Sequence, residues 1–78
     1  MRQQEVRDVL RKEPFQPFRI HLSNGETYDV RHPELALLTR NSVHVVVPSS
    51  DQKDTDRVVQ CDLLHVAAME PIDGASTA

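Results

Sequence analysis

The side chains of this chain with the richest chemistry are four histidines, His21, His32, His44 and His65, and a single cysteine, Cys61. Imidazole and thiolate are natural zinc ligands, and a structural zinc site needs a closed set of four. The spacing here is wrong for a local motif, since neither His-x-His nor His-x3-His occurs. A zinc site would have to be assembled across strands, with His21 and His44 meeting in space beside Cys61 or Asp29. The competing reading, which the sequence favours, makes the four histidines partly exposed strand and turn residues, with His32 holding a bend. A cysteine–histidine nucleophile is the second chemistry to weigh. It needs an activated thiolate beside a base in a cleft, and 78 residues leave little volume for a cleft once a core is filled. Cys61 reads more simply as a small apolar side chain.

Other reactive patterns fail on the same kind of test. Ser23, Ser42, Ser49, Ser50 and Ser76 lie in turn-like or terminal stretches, without the strand-to-helix elbow that exposes a catalytic serine. Gly25 is the one glycine in the body of the chain, so no glycine-rich loop can cradle a phosphate. Asp51, Asp54 and Asp56 are spaced like part of a calcium loop but lack its glycine and closing glutamate, and read as a solvated charge run. No pair of carboxylates can be singled out for acid–base work. No catalytic residue, metal or cofactor is therefore assigned.

Charge narrows the partners. The net charge is −3, with +1 over residues 1–40 and −4 over residues 41–78. An acidic second half is poor company for phosphate, because nucleic-acid affinity rests on cations that release counterions. Nucleic acid is thus not the expected partner, although Arg2, Arg7, Arg11 and Lys12 form one local basic cluster in sequence. The first residues are too charged for a signal peptide. The longest apolar runs, 35–38 and 45–47, are far short of the roughly 20 residues that cross a bilayer. One cysteine permits no disulfide within the chain and suits a reducing compartment. The expected setting is cytoplasmic, away from membranes.

The elements that must position these side chains follow from periodicity. Residues 1–13 suit a helix, with Val6, Val9 and Leu10 on one narrow apolar stripe, ended by Pro14. The phenylalanines of Pro14-Phe15-Gln16-Pro17-Phe18 are expected to pin that helix to a sheet. From Phe18 the period changes to two, as Phe18, Ile20 and Leu22 alternate with Arg19 and His21. A three-residue Ser23-Asn24-Gly25 turn, with Gly25 left-handed, sets Ile20 opposite Tyr28, Phe18 opposite Val30 and Arg19 opposite Asp29. His32-Pro33-Glu34 predicts a kink or a single turn. Strands follow over 35–38, 43–47, 57–61 and 66–69, with a polar mobile loop over 48–56. Asp62 is expected to cap one turn over Leu63-Leu64-His65. Pro71 should stop the last strand, and residues 72–78 read as a frayed tail.

The stretch Pro14-Phe15-x-Pro17-Phe18-Arg19-Ile20-His21-Leu22-Ser23-Asn24-Gly25, with His32-Pro33-Glu34, Asp62-Leu63-Leu64-His65-Val66 and Met69-Glu70-Pro71, resembles a family of small uncharacterised bacterial proteins. The resemblance covers about residues 5–71 and implies no function. The order of elements is similar to the Sm-like barrel. That resemblance implies assembly into rings through the last two strands, often with RNA as ligand. The bacterial Sm-like RNA chaperone carries Tyr-Lys-His before its final strand. Asp62-Leu63-Leu64 stands there in this chain, without the cation or the stacking ring.

The fold class expected is mainly β with an N-terminal α-helix: a helix over 1–13, then a small, strongly bent antiparallel barrel over 17–71. That barrel would be Sm-like or SH3-like, with about five strands in a single domain. The expected function is a non-enzymatic binding or assembly module acting through protein–protein contacts, with a homo-oligomer in view. Val58, Val59, Val66 and Ala68 are the expected self-association edge, since buried interface would help stabilise a thin core. The alternatives are an Sm-like RNA-binding protein using Arg2, Arg7, Arg11 and Lys12, and a small metal- or thiol-dependent enzyme.

Overall fold

The computed structural model describes residues 1–48 and 56–72. Helix α1 (Gln3–Leu10) buries Val6 completely and leans Val9 and Leu10 against the core. It is shorter than the expected 1–13. Pro14 has no N–H to offer the Leu10 carbonyl, and its ring crowds that oxygen, so the last turn cannot form. The Arg11 N–H instead closes the helix on the Arg7 carbonyl at 2.9 Å. At the other end the Met1 ammonium donates to the Leu63 carbonyl at 2.6 Å. The Gln3 amide donates to the Thr39 carbonyl at 3.0 Å. The helix is thus tied to segments far along the chain, at Thr39 and Leu63, as a single-stripe helix of eight residues must be. Phe15 and Phe18 meet edge to face, centroids 6.1 Å apart, at the junction of helix and sheet.

Strands β1 (Phe18–Leu22) and β2 (Thr27–Val30) form the hairpin with the expected register: Phe18 faces Val30, Arg19 faces Asp29 and Ile20 faces Tyr28. Gly25 adopts φ +91°, a conformation costly for any residue with a Cβ. Its N–H donates to the Leu22 carbonyl at 3.0 Å, and the Leu22 N–H donates to the Glu26 carbonyl at 2.9 Å. A 3₁₀ turn, Pro33–Leu35, then takes Leu35 out of the expected strand and leaves β3 (Ala36–Leu38). After it come β4 (Ser42–Val47) and β5 (Arg57–Asp62), a second 3₁₀ turn Leu63–His65, and β6 (Val66–Pro71). The Asp62 carboxylate accepts the Leu64 N–H at 2.9 Å, the expected cap. Pro71 does not stop β6 but sits in its end rung opposite Phe18, where a missing donor matters least.

These strands make two antiparallel sheets of three, in the orders β2-β1-β6 and β3-β4-β5. There are six strands rather than five because the Pro33–Leu35 turn divides the bent second strand between the sheets. The Leu63–His65 turn divides the chain a second time. Among the described residues no ladder joins the two sheets into a closed barrel. They share one core instead, with Ile20, Val30, Val43 and Val45 fully buried beneath Val6. The expected mobile loop over 48–56 and the frayed tail fall largely on residues 49–55 and 73–78, which lie outside the described residues.

Candidate functional site

The strand pleat settles where the histidines go. His21 alternates with the core residues Ile20 and Leu22, so it points away from the core on β1; His44, between Val43 and Val45, does the same on β4. They therefore occupy the outer faces of two different sheets and do not meet. His21 Nε2 lies 2.7 Å from Glu70 Oε1, and His44 Nε2 lies 3.1 Å from Ser42 Oγ. His32 flanks the first 3₁₀ turn, its carbonyl accepting the Leu35 N–H at 3.0 Å. His65 ends the second turn, exposed. Among the described residues no three histidine, cysteine or acidic side chains gather in a metal-sized group. Cys61 is 2% exposed, facing the core from β5. Burial pushes its thiol above the usual range, and the nearby Glu26 adds to that. A thiol so placed stays protonated, the opposite of an activated nucleophile.

The outer faces of the two sheets differ in kind. On the β2-β1-β6 sheet Arg19, His21, Asp29 and Glu70 face outward in hydrogen-bonded pairs, with Thr27 and Ala68 beside them. Arg19 holds Asp29 through Nε–Oδ1 at 2.7 Å and Nη2–Oδ2 at 3.4 Å, and Arg31 reaches Asp29 at 3.4 Å. The hydrogen bond from Arg19 keeps the Asp29 carboxyl below the usual carboxylate range, and its positive charge and that of Arg31 add to the effect. The same hydrogen bond raises the Arg19 guanidinium. At the mouth of the hairpin the Tyr28 hydroxyl donates to Glu26 at 2.7 Å, which raises the phenol. This face is finished, as an antiparallel sheet with one wet side should be.

The β3-β4-β5 sheet is not. Its outward positions include Leu37, His44, Val46, Val58 and Gln60, matched across the strands as Leu37–His44–Gln60 and Val46–Val58, with Asp62 opposite Ser42 at the end of the same face. Away from a protonated imidazole, charge enters this face only at its end, at Asp62. Leu37 is 66% and Val58 63% exposed. The strands read accordingly: 45–47 and 58–59 are apolar on both sides of the pleat, a pattern that belongs to strands covered on both faces. Sequence reasoning does not single out Leu37 and Val46, because a continuous apolar run hides which of its members face outward.

The expected self-association residues divide between the sheets. Val58 and Val59 lie on β5, at one edge of β3-β4-β5, and Val66 and Ala68 lie on β6, at one edge of β2-β1-β6. Val59 leans on the core and Val66 is buried in it, so Val58 and Ala68 are the two that present side chains to solvent. Two of the four expected cations, Arg7 and Lys12, also separate. Arg7 bonds Gln3, on the side of α1 tied to Thr39, whereas Lys12 lies by a groove at Met69 and Pro71. Acidic Glu5 and Asp8 stand among them on the same helix. No helix among the described residues is long and apolar enough to cross a membrane. Comparison with family models, curated proteins and solved structures finds no match to this chain.

Proposed function

We propose that this chain is a non-enzymatic assembly module that associates with copies of itself through the uncharged middle of the β3-β4-β5 face, from Leu37 to Val58, and the edge of β5. In this reading the two sheets are the halves of a strongly bent, partly open barrel of the Sm-like or SH3-like kind, the two 3₁₀ turns being its corners. The observation that carries the proposal is the pairing of a strand pattern suited to two covered faces with a face that the described residues leave uncovered.

Magnitudes say how the contact must be built. Three strands about 4.8 Å apart and at most six residues long present roughly 300 Å². Specific interfaces bury about 800 Å² per partner. The face alone supports only weak association, so strand pairing along β5 must add to it. The test is native mass by light scattering across micromolar to sub-millimolar protein. An oligomer whose population rises with concentration, and falls in a Val58→Asp variant that melts normally, supports the assignment. A monomer throughout sinks it. A ring of about five to seven chains would make the contact head to tail, and ultraviolet absorbance of that species would then show whether nucleic acid travels with it.

A further inference from the structure

A second surface shares no residue with the β3-β4-β5 face, and its chemistry is different. Between the end of α1 and the start of β1 runs a groove of about 190 Å³. Its walls are Val9, Pro17, Phe18, Met69 and Pro71, with Lys12 and Gln16 among the lining residues. Small-molecule sites run to about 300–1,000 Å³, so this groove has room for one large apolar side chain and not for a whole ligand. Beside it β6 ends its sheet, with its outer backbone edge unpaired among the described residues. Met69 and Pro71 belong to that strand and face the groove. A strand laid along β6 would therefore point every second side chain to the groove side of the sheet.

Charge chooses the partner. Between Met69 and Pro71, the Glu70 side chain points to the other face of β6, where its carboxylate lies 2.7 Å from His21. Lys12 has no acidic partner among the described residues and donates only a long 3.4 Å bond to Gln16. The groove thus presents one cation with no carboxylate matched to it. We propose that β6 and this groove dock an extended acidic segment of another protein, seating one aliphatic side chain between Val9, Phe18 and Met69 and placing a neighbouring carboxylate on Lys12. This surface is independent of the β5 contact and stands whether or not the chain self-associates.

The test uses two fluorescein-labelled seven-residue peptides, one alternating glutamate with leucine and one alternating lysine with leucine. Fluorescence anisotropy at low salt should show the acidic peptide binding several-fold more tightly, with the advantage shrinking as salt screens Lys12. Lys12 is exposed, so K12E leaves the fold intact; it should erase or reverse the preference. Backbone amide shifts in a two-dimensional NMR titration should concentrate at Val9, Phe18 and residues 68–70. Equal affinity for both peptides, an unchanged preference in K12E, shifts centred on β5, or no shift at millimolar peptide would each overturn the proposal.

Discussion

Replacing Leu37 and Val58 together by threonine separates a covered face from a merely tolerated one. Both side chains are about two-thirds exposed in the isolated chain, at 66% and 63%. Full burial of a leucine or valine is worth about 1.5–3 kcal/mol, so covering the exposed part adds about 1–2 kcal/mol each. Threonine keeps one methyl and the β-branched shape that strands prefer, so the lower end is the working figure, about 2 kcal/mol per protomer. At about 1.4 kcal/mol per decade this is roughly a 30-fold rise in dissociation constant. In the isolated chain the same changes are surface substitutions, costing at most about 0.5 kcal/mol each. Val45, on the same sheet but 0% exposed, supplies the contrast: Val45→Thr buries a hydroxyl and should cost about 1–3 kcal/mol. Sedimentation equilibrium reads the association, and urea unfolding of dilute protein reads the fold. The reasoning is refuted if the double variant unfolds as easily as Val45→Thr, which would mean those positions face the core. Unchanged association would refute it equally.

Other expectations follow from single features. Gly25 holds φ +91° with open space where a Cβ would stand, so Gly25→Ala should cost about 1–2 kcal/mol from backbone strain alone; a urea midpoint equal to the parent's would remove the left-handed turn. Cys61 should resist thiol reagents in native protein near neutral pH and react at once in strong denaturant, because burial keeps it protonated. Fast native labelling would contradict that. Asp29 has its folded pKa depressed by Arg19, so its contribution is present above the unfolded value of about 4 and fades as pH falls through the lower folded one. Asp29→Asn should therefore lose up to about 1 kcal/mol at neutral pH, a partly exposed and salt-screened pair, and lose progressively less against the parent in acid. A difference that stays constant down to strong acid would show that charge is not the cause.

Much of the backbone is legible in the residues themselves, because its determinants are local. Gly25 dictates a three-residue turn, and that turn with the alternation of Phe18, Ile20 and Leu22 sets every rung of the first hairpin. Pro33 and Asp62 likewise announce their own one-turn corners. What residue types cannot encode is which elements meet. Only the tertiary structure sends His21 and His44 to the outer faces of separate sheets, divides Val58 from Ala68, and buries Val66. Only it shows that one outer face is closed by Arg19, Asp29 and Arg31 while the other leaves Leu37 and Val58 to solvent. The reason is that alternation fixes a side chain's face within its own strand, whereas the neighbour across that face depends on contacts far apart in sequence.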